Sequence, residues 1–275
     1  MWNSRVIASL LLIGASVVTS PAAASTGTTI DYAWDGGEQR NRAWYGRAYV
    51  PEGVDPDTPL PVIVFLHGLN KILVKHRWMG GGPEDDLRTR LDDWIAGGVM
   101  PKMIIVGPSS TVKSEVFTGA SWRHFELDHF MKLTRRALHG HARIDDDQIV
   151  LAGHSGAGCS LHGGLATADA ASTRLHAMLA IDTCMDGAFG KRLGETSPET
   201  HVVVGYQKLG WTRSFKAFER SFRETVEGHP VPDGILRELD EQKPERDYHN
   251  ATVPLTFERW LPKLLGLPED RTSPK

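Results

Sequence analysis

Five short runs of apolar residues set the strongest limit on what this chain can fold into. They are "LPVIVFLHG" (60–68), "MIIVGPSS" (103–110), "QIVLAG" (148–153), "HAMLAID" (176–182) and "HVVVGY" (201–206). None alternates between apolar and polar, as a strand with one wet face must. A continuous run rich in Val and Ile instead reads as a strand buried on both faces, the condition met in a parallel sheet. An earlier strand is expected in "RAWYGRAYVPEG" (42–53), closed by Pro51 and Gly53, and the polar stretch 25–40 reads as a loose lead-in. Helical periodicity fills the gaps. Pro83 followed by Glu84, Asp85 and Asp86 predicts a helix start, because proline suits the first turn and acids suit the positive end of the helix dipole. Leu87, Leu91, Trp94 and Ile95 then share one face until Gly97 and Gly98 stop the helix. Further helices are expected over 125–139, along the stripe Phe215, Phe218, Phe222 and Val226, and from about Val253 to Leu265. Strand–helix alternation along the chain predicts an α/β fold with a mostly parallel sheet covered on both faces.

Composition narrows the setting. The net charge of −3 is spread over both signs with no basic tail, which gives no support to nucleic-acid binding. Arg5, the apolar run Val6–Val18 and the small residues Ala22 and Ala24 have the layout of a signal peptide over residues 1–24. The folded domain is then residues 25–275, secreted or periplasmic, with no stable membrane insertion after signal cleavage. Two cysteines in an exported chain, Cys159 and Cys184, invite a disulfide. There is no Cys-x-x-Cys and no His-Glu-x-x-His, so neither a metal nor a cofactor is expected.

The chemistry concentrates in "LAGHSGAGCS" (151–160), where a buried strand ends in small residues around Ser155. A strand that turns sharply through a serine into a helix exposes the hydroxyl, and the positions two before and two after must be small. They are Gly153 and Ala157. A helix over 156–169 would aim the N–H of Gly156 at developing negative charge. Serine needs a base to act as a nucleophile near neutral pH.

At this point the chain resembles the α/β-hydrolase superfamily, its secreted serine esterases in particular, over roughly residues 42–265. "GHSGA" resembles the G-x-S-x-G elbow, "FLHG" (65–68) the strand end that shapes the oxyanion hole, and "DYHNATVP" (247–254) the late histidine loop. The resemblance implies that Ser155 attacks, that His249 is the base and that the backbone N–H groups of Leu69 and Gly156 hold the oxyanion. Two positions depart from the pattern. Ala157 replaces the last glycine, and residues 207–218, where the acid most often follows its strand, contain no Asp or Glu. Asp182 ends the preceding strand and is the first candidate for the acid, as in some members of the superfamily; Asp186 is the second. Asp247 reads as a loop polar group, His67 as an organiser of the oxyanion loop, and His154 as packing beneath the elbow. Neighbouring strand ends in such a fold also bring Cys159 and Cys184 close enough for a bridge.

Pocket walls are expected from loops 69–82, 107–124, 183–199 and 207–214, with Trp78, Trp122, Tyr206 and Trp211 as candidates either for lining the pocket or for the core. Lys71, Lys75, His76 and Arg77 crowd the loop after the oxyanion motif, as a solvated loop or as a site for an anionic substrate. The function these features imply is hydrolysis of a carboxylic ester on a small-molecule or polymer-borne acyl substrate. Cleavage of amides in cell-wall or peptide material, and non-catalytic binding on the same fold, are the alternatives.

Overall fold

The computed structural model describes residues 25–34, 44–117, 119, 121–210 and 215–267. The expected signal peptide lies outside the described residues. Eight strands form one sheet among them: β1 (Thr28–Trp34), β2 (Trp44–Val50), β3 (Pro59–Leu66), β4 (Ile104–Ser109), β5 (Arg143–His154), β6 (Ala177–Ile181), β7 (His201–Gln207) and β8 (Arg237–Gln242). Their order across the sheet is β1-β2-β4-β3-β5-β6-β7-β8. The β1–β2 and β2–β4 pairs are antiparallel, and every pair from β4 onward is parallel. The five apolar runs thus become β4, β3, β5, β6 and β7, the middle of the sheet, where both faces are covered. That outcome matches the expected α/β architecture.

Helices α1 (Leu87–Ala96) and α6 (Thr252–Leu264) cover one face, packing Leu91, Trp94, Phe257 and Leu261 against Ile63, Phe65, Val150 and Leu179. On the other face lie α2 (Leu127–Ala137), α3 (Leu165–Ala168), α4 (Gly187–Gly194) and α5 (Lys216–Gly228), burying Phe130, Leu165, Phe189, Phe218 and Phe222 against Val62, Val64, Leu151 and Val204. The stripe 215–226 and the final helix fall where periodicity places them.

Three local expectations are corrected, and one strand is added. Helix α1 starts at Leu87, four residues after Pro83, because the Asp86 carboxylate caps it by accepting from the N–H of Arg88 at 3.0 Å. The lead-in is not loose: "TTIDYAW" is edge strand β1, with half-buried Ile30 and Tyr32 against the core and Tyr32 Oη 2.6 Å from Thr134 Oγ1 on α2. The charged segment "RELDEQ" is strand β8, with Leu239 against the core and polar contacts to α6. Asp240 in β8 accepts from Arg259 Nη1 at 2.7 Å and Trp260 Nε1 at 2.9 Å, and Gln242 Nε2 donates to Thr256 Oγ1 at 2.8 Å, so β8 anchors α6. Finally, part of the presumed loop 183–199 is α4, capped by Asp186 accepting from Phe189 N at 2.9 Å.

Phe257 joins α6 to the sheet: it is fully buried, with its ring edge-on to Phe65 (6.0 Å) and Trp94 (6.2 Å). Phe257→Ala should lower unfolding stability by about 3–5 kcal/mol. Urea unfolding checks this, and a loss below about 1 kcal/mol would contradict a tightly packed α6–sheet junction.

Candidate active site

The elbow is built as the sequence implies, with one change. Strand β5 ends at His154 and Ser155 follows at φ 54°, a left-handed conformation that non-glycine residues rarely adopt. Gly153 has no room for a side chain, since a Cβ there would lie 2.7 Å from Leu165 Cγ and 3.0 Å from Ala157 Cβ. Alanine at 157 is therefore accommodated because 153 is glycine. The segment after the serine is not the expected helix over 156–169. Ser155–Gly158 is a single 3₁₀ turn, and α3 resumes only at Leu165. Gly163 and Gly164 break the run: a Cβ on Gly163 would strike Trp122 O at 2.1 Å, and Gly164 has φ 61°. A one-turn helix carries little dipole, so the N–H of Gly156 has to act through its own position.

That position is opposite Leu69. A Cβ on Gly156 would sit 3.0 Å from Leu69 N, and a Cβ on Gly68 would sit 2.7 Å from Ser155 Cβ, so the end of β3 and the elbow touch backbone to backbone. His67 fixes the peptide between Gly68 and Leu69. Ser110 N–H donates to His67 Nε2 at 3.3 Å, which leaves Nδ1 as the protonated nitrogen, donating to Gly68 O at 2.7 Å. The carbonyl of Gly68 and the N–H of Leu69 belong to one planar unit. Pinning the carbonyl toward His67 turns the N–H away from it. Trp122 supports the same strand end through Nε1–H to His67 O at 2.8 Å, with its ring edge-on to His67 at 4.8 Å.

Three side chains meet across the ends of β6, β7 and the loop before α6. His249 Nδ1 lies 2.7 Å from Asp182 Oδ2, across 67 residues of sequence. Asp182 is 1% exposed and is itself left-handed at φ 42°. Gln207, the last residue of β7 and fully buried, donates from Nε2 to the same Oδ2 at 3.0 Å and accepts from Gly210 N at 2.6 Å. Sequence reasoning passed over Gln207. The signal was its place, at the end of the strand that an acid more often follows. Neither other acid joins this group: Asp186 caps α4, and Asp247 accepts from Asn250 Nδ2 at 3.1 Å. His154 lies beneath, its ring 4.4 Å from that of His249 and its Nε2 donating to His249 O at 3.1 Å. This brings His249 beside the elbow that carries Ser155.

The expected lining residues fare differently. Trp78, Trp122 and Tyr206 are buried: Trp78 still borders a cavity of about 420 Å³ with Asp247 and Asn250, Trp122 borders a small one beside His67, and Tyr206 Oη donates to Glu219 Oε1 at 2.7 Å. Trp211 lies outside the described residues. The basic cluster divides. Lys71 is exposed and Lys75 reaches over the Tyr45 ring at 3.9 Å, while His76 is buried and Arg77 pairs with Glu84 and donates to Leu69 O. Cys159 and Cys184 form a disulfide with Cα atoms 4.9 Å apart, tying the loop after Asp182 to the turn after Ser155. No cluster suited to a metal ion occurs among the described residues.

No model of a known protein family matches the chain, and no curated protein does. Solved structures do match in shape. A ferulic acid esterase aligns over 86% of this chain and 98% of its own, at 15% identity and TM-score 0.59. A serine-to-alanine mutant of the feruloyl esterase module from Clostridium thermocellum, complexed with sinapinate, aligns over 88% and 89% at 13% identity and TM-score 0.60. An S-formylglutathione hydrolase from Agrobacterium tumefaciens aligns over 90% and 98% at 15% identity and TM-score 0.56. The likeness is one of fold: the chain has the α/β-hydrolase fold.

The two histidines around the elbow are held neutral by burial. Loss of solvent is the largest influence on each; it pushes His67 down to about 3 and His154 well below the usual imidazole range. Unfolding restores an ordinary value near about 6.5, so below that pH the unfolded chain binds protons that the folded chain does not. Stability should therefore fall as pH drops from about 6.5 toward 5, by up to roughly 1.4 kcal/mol per pH unit for each ring. Urea midpoints measured between pH 7.5 and 5 test this, and a flat profile would contradict neutral, buried rings.

Proposed function

We propose that the chain is an exported serine hydrolase that cleaves a carboxylic ester through an acyl-enzyme on Ser155. The observation that carries the reading is the 2.7 Å contact between buried Asp182 and His249, whose ring lies 4.4 Å from that of His154, the residue that precedes a left-handed serine. His249 Nδ1–H donates to Asp182, which leaves Nε2 unprotonated and able to accept. Ser155 Oγ attacks the carbonyl carbon as His249 Nε2 takes the hydroxyl proton. The negative oxygen of the tetrahedral intermediate is held by the N–H groups of Leu69 and Gly156. The intermediate collapses, the C–O bond to the leaving group breaks, and His249 returns the proton to the departing alcohol. Water then attacks the acyl-enzyme, giving its proton to His249, and Ser155 is released with the carboxylic acid. Throughout, Asp182 keeps His249 in one tautomer and stabilises the imidazolium, and Gln207 holds the carboxylate in place. Every step uses side chains and backbone of this chain.

Export is supported by the apolar leader Val6–Val18 and by the disulfide, which persists in an oxidising compartment. No helix among the described residues is long and apolar enough to cross a membrane.

Serine and base act as a unit. Ser155→Ala and His249→Ala should each lower kcat on a p-nitrophenyl ester by several orders of magnitude, with the double variant little worse than either. A phosphonate that labels serine nucleophiles should modify the wild-type chain and not Ser155→Ala. Turnover of amides without esters would move the assignment to a peptidase, and absence of both labelling and turnover would leave a binding protein.

The acid is tested by moving it. Asp182→Asn should cost about 10³–10⁴-fold in kcat by favouring the wrong tautomer. Asp186→Asn and Asp247→Asn should stay within about twofold, since neither touches His249. Placing the carboxylate on β7 instead, in Asp182→Asn/Gln207→Asp, should recover about tenfold or more of the loss. A double variant as dead as Asp182→Asn would show that the end of β7 cannot serve His249.

A further inference from the structure

We propose that the mouth of the site docks onto the surface of an aggregated anionic amphiphile, so that the ester is taken from an apolar assembly and not from free solution. This rests on the ester-hydrolase reading and names its class of substrate. The starting observation is where exposed apolar side chains lie. Among the described residues, every exposed large one lies beyond the C-terminal end of a strand. Ile72 (67% exposed) and Leu73 follow β3, Phe117 (70%) follows β4, Leu161 follows β5, Leu209 follows β7, and Tyr248 and Leu255 follow β8. That edge of the sheet is the one that carries Ser155, and the opposite edge has none. Scattered apolar residues are ordinary on a protein surface; their confinement to one edge is not.

The loops that carry them adjoin one another. Asn70 Nδ2 donates to Val74 O at 2.8 Å and Ser110 O at 2.9 Å, joining the loop after β3 to the loop after β4. Gly164 N donates to Trp122 O at 3.0 Å, joining the latter to the loop after β5. A Cβ on Gly210 would lie 3.5 Å from Tyr248 Cβ, placing Leu209 and Tyr248 side by side. The cavity that touches the oxyanion loop, between His67, Gly68 and Trp122, holds only about 10 Å³. A cavity of about 640 Å³ opens instead at the N-terminal ends of β3 and β5, by Pro59 and Arg143, at the far edge of the sheet.

Charge selects the occupant. In the loops after β3, β4 and β5 (residues 67–82, 110–117, 121–124 and 155–164) the exposed ionic side chains are Lys71, Lys75, Lys113 and Arg123, and the one acid there, Glu115, is buried; the end of β8 and the loops after β6, β7 and β8 carry both signs, Lys208, Lys243 and Arg246 with Asp186, Glu241, Glu245 and Asp247. Cations therefore gather on the side of the mouth that carries Ile72, Leu73, Phe117 and Leu161, in a chain whose net charge is −3. Apolar side chains interleaved with Lys and Arg are suited to an anionic lipid–water boundary, where the apolar groups enter and the cations stay among the headgroups. A second copy of the chain fits less well: a two-fold contact over this surface would set the same cations against each other and close off Ser155.

The test uses the mature Ser155→Ala chain and co-sedimentation with vesicles of phosphatidylcholine alone or with a quarter phosphatidylglycerol. Binding to the anionic vesicles should be tighter by about tenfold or more and should weaken in high salt. Ile72→Ser/Phe117→Ser should lose about tenfold or more of it. In the active chain the same pair should leave turnover of a short soluble ester within about twofold, and lower turnover of that acyl group in anionic mixed micelles by about fivefold or more. No vesicle binding, equal binding to both vesicle types, or unchanged binding by the double variant would overturn the proposal. So would a reversible dimer that Ile72→Ser/Phe117→Ser dissolves. If the active chain turned over neither form of the ester, the hydrolase reading would fall, and the vesicle result would still decide docking by itself.

Discussion

The left-handed turn at Ser155 sets the terms for everything around it. For a residue with a side chain that conformation costs about 1–2 kcal/mol, and it persists only where the surroundings leave no alternative. Here β5 is clamped in the middle of the sheet, in parallel register with β3 (Leu66 opposite Gly153) and with β6 (His154 opposite Ile181). The chain must leave that slot between two fixed neighbours, and it does so by turning through Ser155. The turn brings three backbones into contact, which is why glycine stands at 68, 153 and 156: a Cβ at any of them would meet another atom at 3.0 Å or less. The same closeness that forbids side chains sets Leu69 N beside Gly156. The strain at the serine and the closeness of Leu69 N to Gly156 are thus two results of one packing constraint.

Neutral groups then shape the site. His67 and His154 are buried and uncharged, and each uses one ring N–H on a backbone carbonyl, of Gly68 and of His249 respectively. A charged imidazole at either place would need desolvation that no nearby carboxylate offsets. The one imidazole bonded to a carboxylate in this group is His249. Asp182, nearly as deep, is sustained by two donors on a single oxygen, His249 and Gln207, as a buried carboxylate must be. Polarity is therefore concentrated along one line, from Gln207 through Asp182 to His249, with the two neutral imidazoles beside it and the Arg77–Glu84 ion pair held at Leu69 O.

Most of the sheet was legible because its central strands are buried on both faces, which writes a continuous apolar run into the sequence. The parts that were not legible are those that depend on polar contacts or on tertiary crowding. Strand β8 has charged residues at most of its positions and is held by Asp240 and Gln242 reaching α6, a contact that no window of sequence displays. Strand β1 carries a weak alternation, Ile30 and Tyr32, inside a polar stretch. The break after the elbow comes from Trp122 O approaching Gly163, a residue 41 positions earlier in the chain than its contact. Of the candidate site, the sequence displays the parts that depend on local chemistry, the small residues around Ser155 and the loop of His249. The aromatic residues were not legible. Trp78, Trp122 and Tyr206 suit a pocket wall or the core alike; all three are buried, and Trp122 uses its indole N–H to prop the oxyanion strand.

The carboxylate that reaches His249 shows why position in a strand order is a weaker guide than geometry. Strands β6 and β7 are parallel neighbours with Ile181 opposite Gly205, and Asp182 N donates to Gly205 O at 2.7 Å where they end. Their C-terminal ends therefore reach the same small volume beside His249. A carboxylate from either end could accept the imidazole N–H; carboxylates from both would repel one another in a buried space. One end must supply the acid and the other something neutral that can donate to it. Glutamine at 207 meets that need: its N–H holds Asp182, and its oxygen is occupied by Gly210 N, which fixes the amide the right way round. The absence of an acid from 207–218 is thus the complement of the presence of one at 182.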